Sequence, residues 1–228
     1  HLQLAYPSLP WQACRLPPAR LWAKARAMLQ WLHAMTHPDG EIALFNDAAF
    51  GVAANLARLW RYAESLGFEM PAQGSCDGIR HLAASGYVRV DRGPSSAMLD
   101  MARVGPDYLP GHAHADTLSF EWSLDGQRVF VNSGTSVYGV GPERLRQRGT
   151  AAHNTVVVDG YDSSEVWSGF RVARRAYPGA VDIDSDAPVW HVSGSHDGYR
   201  RLAGRVLHRR RWEFGANTLL VSDHLDGG

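Results

Sequence analysis

Gly111-His112-Ala113-His114-Ala115-Asp116-Thr117-Leu118-Ser119-Phe120-Glu121-Trp122-Ser123 is the stretch on which the reading of this 228-residue chain turns. From Thr117 onward, apolar and polar side chains alternate, with Leu118, Phe120 and Trp122 on one face. That period predicts a half-buried strand. Asp125-Gly126 is a hairpin turn and Val129-Phe130-Val131 the expected return strand. Just before the strand stand His112 and His114. In extended chain, residues two apart face the same side, so both imidazoles are expected in one site at a strand entrance.

Beyond this stretch, Tyr87-Val88-Arg89-Val90, Thr155-Val156-Val157-Val158, Arg205-Val206-Leu207 and Thr218-Leu219-Leu220-Val221 read as further strands, with a second hairpin turn at Asp159-Gly160. Upstream of Gly86 the period is helical. Leu21, Ala25, Met28, Leu32 and Met35 recur at three- and four-residue steps, after Pro17-Pro18 and before His37-Pro38-Asp39-Gly40. Val52, Leu56, Leu59, Ala63 and Leu66 repeat the pattern, with Asn46 and Asp47 as prospective N-caps and Gly67 as C-cap. Trp22, Trp31 and Trp60 lie in or beside these stripes and are expected mainly in the core. Helices first and strands afterwards predict an α+β chain with a helical part, 1–84, and an antiparallel sheet part, 85–228.

A formal net charge of +0 removes the broad electrostatic case for nucleic acid or an anionic membrane surface. A local Arg cluster can still bind an acidic sugar. No apolar run approaches the roughly 20 residues of a membrane span. Cys14 and Cys76 form no Cys-x-x-Cys pair, so a zinc knuckle is not expected, and two free thiols or one disulfide remain open. The start at His1 and the Asp226-Gly227-Gly228 end read as a piece of a longer protein. The basic run His208-Arg209-Arg210-Arg211 reads as a solvated strand face.

His112, His114 and a further His153 at Ala152-His153-Asn154-Thr155 could together hold a metal, since neutral imidazole is a common zinc ligand. Two His-x-His families fail on the residues. Metallo-β-lactamase-like hydrolases need a His after the Asp, where this chain has Thr117. Cupins need a Glu three or four residues on, and the nearest is Glu121.

A third family fits better. Residues 111–120, then Val131-Asn132-Ser133-Gly134-Thr135 with Tyr138, then Arg148-Gly149-Thr150-Ala151-Ala152-His153-Asn154-Thr155-Val156, Ser163-Ser164-Glu165-Val166-Trp167 and His196-Asp197-Gly198-Tyr199 resemble the heparinase II/III-like polysaccharide lyases, most of all those of exopolysaccharide or capsule clusters. The resemblance implies the end of an (α/α) toroid followed by an antiparallel β-sandwich, with toroid helices and their catalytic groups upstream of residue 1. It implies cleavage of an acidic, uronate-containing polysaccharide by β-elimination. The alternative is a non-catalytic glycan-binding or assembly protein that keeps the fold. His112 and Tyr138 would be catalytic, and Arg148 and Arg146 would bind the sugar carboxylate. His114, Asn132 and His153 would hold one divalent ion, zinc or calcium. Metal-bearing members usually have Asp where this chain has Asn132, so a hydrogen-bonded structural cluster is the other reading. A periplasmic or secreted location is implied by the resemblance alone.

Overall fold

The computed structural model describes residues 18–68 and 77–228. Cys14, Cys76 and Pro17 lie outside the described residues. Helix α1 spans Pro18–Ala34 and α2 spans Leu56–Ser65. The second helix starts later than its apolar period suggested. Asn55, not Asn46 or Asp47, is its N-cap, accepting the Arg58 N–H at 3.2 Å. Gly67 follows its end at φ +84°, the left-handed conformation that glycine adopts without a Cβ clash. Of the three tryptophans, only Trp60 is core. Trp22 and Trp31 are 45% and 39% exposed, on an α1 face that no described element fully covers.

The strands form two antiparallel sheets and a separate hairpin. β1 (Gly78–Leu82), β2 (Tyr87–Arg92), β3 (Ser95–Asp100), β4 (Phe120–Leu124) and β5 (Gln127–Phe130) pair in chain order. β6 (Val166–Trp167) and β7 (Arg171–Val172) make the small hairpin, and β8 (Asp182–Asp184), β9 (Trp190–His196), β10 (Leu207–Phe214) and β11 (Leu219–Asp226) the second sheet. Val88, Val90, Ala97, Leu99, Leu118 and Phe120 meet Val192, Trp212 and Phe214 of the second sheet in one core. Burying each such large side chain contributes about 1.5–3 kcal/mol. The opposite face of the first sheet carries Tyr87 and Met98 against Met35, Ala43 and Phe45 of the helical part. Because both faces of this sheet are covered, residues 96–100 are buried without alternation.

Several expected strands are shorter than their patterns. β4 begins at Phe120 because Leu118 takes φ +63°. β5 ends before Val131. Residues 155–158 form no strand: only Val158 bridges to Tyr161 around the Asp159-Gly160 turn. Arg205, at φ +45°, lies before β10.

Buried polar groups tie the layers together. Glu121 points from β4 toward the helical side, where His37 Nε2 lies 2.9 Å from it and the Leu44 N–H donates at 2.7 Å. This fixes residues 37–44 and hence the loop that follows. The run 208–211 is not a uniformly solvated face. Arg209 and Arg211 are exposed, but His208 and Arg210 are buried. Arg210 is bidentate to Asp223 at 2.7 and 2.8 Å and donates to the carbonyls of Leu118 and Asn154. Asp223 also accepts from His208 at 2.6 Å, and His208 meets His196 at 3.0 Å.

Candidate functional site

The Glu121 anchor delivers Asn46 and Asp47 to the entrance of the His-x-His segment. Asn46 sits at φ +53°, a conformation Asn tolerates better than most residues. Its amide oxygen accepts the His114 N–H at 3.3 Å. Asp47 then takes hydrogen bonds from three side chains. His112 Nδ1 lies 2.8 Å from one carboxylate oxygen and His114 Nε2 2.9 Å from the other. Arg144 binds both oxygens, with Nη2 at 2.8 Å. Burial works to raise the Asp47 pKa, but the donors from His114, Arg144 and His112 outweigh it and hold the carboxyl well below the usual range. Asp47 is therefore an anion whose lone pairs fix both imidazoles.

The two histidines differ in exposure. The His112 side chain is 73% exposed, and that of His114 is 0% exposed. They share a partner as the two-residue spacing predicted, although their segment is turn rather than strand. With Nδ1 on Asp47, His112 turns Nε2 toward the open side. Tyr138 and Phe170 flank it, their ring centroids 6.3 and 6.2 Å from the imidazole and 6.0 Å from each other at 14°. The Arg144 guanidinium backs both rings at 5.4 and 5.3 Å. Beside Tyr138 opens a pocket of about 390 Å³ lined by Leu44, Phe50, Val52 and Ser136 among others. A larger one of about 680 Å³, under Trp60, Arg80 and Arg89, shares no lining residue with it.

Arg144 belongs to α3 (Pro142–Arg148), whose basic residues divide by helix face. Arg148, expected at a sugar carboxylate, is 0% exposed. It donates to the carbonyls of Ala113 at 2.9 and 3.1 Å and of Arg171 at 3.2 Å, clamping the β6–β7 hairpin to the His-x-His segment. Placed so, its guanidinium holds backbone carbonyls and does not face solvent. Arg146 is exposed and paired with Glu143 at 2.7 and 2.8 Å.

Inside the site, His114 and His153 lie with ring centroids 5.3 Å apart. Asn154 brings His153 there by donating to the carbonyls of Phe120 and Val131 at 2.9 and 3.0 Å. His153 Nδ1 contacts Asn132 Oδ1 at 3.2 Å. Burial pushes the His153 pKa down to about 4, so the ring is neutral at pH 7. His114 Nδ1, His153 Nε2 and Asn132 Nδ2 are buried without a hydrogen-bond partner. Among the described residues, no three His, Cys, Asp or Glu side chains converge as a metal-holding group.

Thus the structure gathers His112, Tyr138, His114, Asn132 and His153 and leaves Arg146 and Arg148 aside. Sequence reading missed Asp47, Arg144 and Phe170. Asp47 was visible only as a prospective cap. Ala48, the next residue, packs its carbonyl against Gly134. Gly134, at φ +57°, leaves room for the Ala48 carbonyl, which the Thr135 N–H meets at 3.1 Å.

The family described as Heparinase II/III-like, C-terminal, matches residues 77–228. No curated protein matches the sequence. Among solved structures, the crystal structure of heparinase III is similar at 17% identity and a TM-score of 0.71, covering 93% of this chain and 35% of that one. A mutant heparan sulfate lyase from Pedobacter heparinus gives 17% and 0.69 over 92% and 33%, and a second heparinase III structure 19% and 0.66 over 93% and 33%. The chain spans about a third of the length of these structures. At such identities they establish the shared fold: a few helices followed by antiparallel sheets.

Proposed function

We propose, from the premise that this chain belongs to the heparinase II/III-like family through its C-terminal region, that it forms the sheet side of a polysaccharide lyase site acting on a uronate-containing polymer. The observation that carries the reading is His112: solvent-facing, held on Asp47 through Nδ1, and flanked by Tyr138. β-Elimination removes the C5 proton beside the uronate carboxylate, builds charge on that carboxylate and expels the C4 oxygen. In its neutral form His112 offers an outward Nε2 lone pair to the proton. In its protonated form it offers an N–H to the carboxylate. Tyr138 supplies a phenol within the same space for the leaving oxygen, and the pocket beside it has the dimensions for a sugar ring.

The same reading makes the helices the end of an (α/α) toroid, the two sheets a β-sandwich, and the partner an acidic glycan met in the periplasm or outside the cell. Further toroid helices would supply the remaining catalytic groups. The whole heparinases, of which this chain covers about a third, leave length for them. No described helix is long and apolar enough to cross a membrane.

The test is incubation of the full-length protein with alginate, heparan sulfate, hyaluronan and the host exopolysaccharide. Ultraviolet absorbance of the unsaturated product should rise on a uronate polymer. Calorimetric binding without any rise would instead support a glycan-binding role.

A further inference from the structure

The unpaired polar atoms around His114 and His153 have a donor–acceptor logic that Asn132 controls. We infer that in this chain the cluster is a metal-free hydrogen-bond hub, and that Asn132 is the residue that excludes the ion.

His114 is settled first. Its Nε2 faces the Asp47 carboxylate at 2.9 Å and must carry the proton, so Nδ1 presents a lone pair to the cluster. His153 and Asn132 are linked through His153 Nδ1, 3.2 Å from the Asn132 oxygen. An amide has one acceptor end and one donor end, and two orientations. With oxygen on Nδ1, that nitrogen carries the ring proton and Nε2 keeps a lone pair. The Asn132 NH₂ then faces the cluster and offers hydrogens, which no cation accepts.

Turning the amide over brings its oxygen to the cluster. The NH₂ now donates to Nδ1, and the ring proton moves to Nε2, which stops being a ligand. Asn132 and His153 therefore cannot both present lone pairs. The Gln147 backbone also favours the proton on the His153 ring. A carboxylate has no such conflict, because one oxygen accepts Nδ1–H while the other binds a metal. The amide also brings no charge to offset a divalent ion. In the observed orientation, two imidazole acceptors and one amide donor complement a single water, which donates twice and accepts once.

The experiment measures metal on the full-length protein, wild type and Asn132→Asp, after exposure to Zn²⁺ or Ca²⁺ alone and dialysis. Wild type should retain far less than one equivalent, and its melting temperature should not change with chelator. Asn132→Asp should retain about one zinc, bound at least on the order of 100-fold more tightly, with a chelator-sensitive melting temperature. Wild type holding a stoichiometric ion that is lost in His153→Ala would overturn the inference. So would a folded Asn132→Asp that takes up no metal. If Asn132→Asp fails to fold, the wild-type content decides alone. None of these readings uses turnover, so their failure leaves the lyase proposal standing, and an inactive protein leaves the inference intact.

Discussion

Replacing Asp47 with Ala removes the acceptor shared by His112, His114 and Arg144. The Asp47 and Arg144 side chains are 5% and 1% exposed, so the loss leaves a desolvated guanidinium without its counter-charge. Breaking a buried pair in this way costs about 3–5 kcal/mol. Arg144 keeps the Gly169 carbonyl at 2.9 Å and Thr135 Oγ1 at 2.8 Å, which argues for the lower end, about 3 kcal/mol. For a unit of this size that lowers the melting temperature by roughly 6–12 °C. Asp47→Asn should rescue little, because its NH₂ would confront a donor whichever way it turns. Urea denaturation of Asp47→Ala, Arg144→Met and the double variant makes a cycle. The pair should be non-additive by about 2 kcal/mol or more, since Arg144→Met removes the charge that Asp47→Ala strands. A cost for Asp47→Ala within about 1 kcal/mol of wild type, or strict additivity, would refute this account of the site.

Gly134→Ala drives a Cβ into the Ala48 carbonyl at φ +57°; denaturation should show a loss of about 2–4 kcal/mol, and a neutral result would contradict this close contact. Tyr138→Phe should lower kcat by roughly a hundred- to ten-thousandfold, on the order of a lost proton transfer, with the melting temperature unchanged because the side chain is exposed. Stability should also fall in acid through His196. Burial first, then the positive charge of its neighbours, pushes its pKa down to about 3 from 6.5. Between those values the unfolded chain binds a proton that the native state refuses, so the contribution is full above pH 6.5 and drains by up to about 1.4 kcal/mol per unit as pH falls. His196→Gln should flatten the slope between pH 6.5 and 4, and identical slopes would count against it.

The alternation of Leu118, Phe120 and Trp122 announced the sheet core, because side-chain period survives whatever the backbone does at the ends. It did not announce where β4 starts, since a periodicity cannot register the positive φ of Leu118. The His-x-His pair was legible for its type and spacing. Its orienting carboxylate was not, because Asp47 lies 65 residues from His112 in sequence and its local context equally suits a helix cap. Arg146 and Arg148 look alike in the sequence as ligands for a sugar carboxylate. On the helix, face decides, and Arg144 and Arg148 turn inward while Arg146 turns out. The alternating burial of residues 208–211 carries the same lesson, since a strand buries every second side chain even when it is Arg, provided an Asp223 waits for it.

The proposed action of His112 on a uronate polymer is tested by the initial rate of unsaturated product formed by the full-length protein and by His112→Ala on the same polysaccharide. Wild type should show a measurable rate and the variant a loss of about 100-fold or more, with melting temperatures that coincide because the side chain is 73% exposed. No product from wild type on any uronate polymer, or an equal rate from His112→Ala, would contradict it.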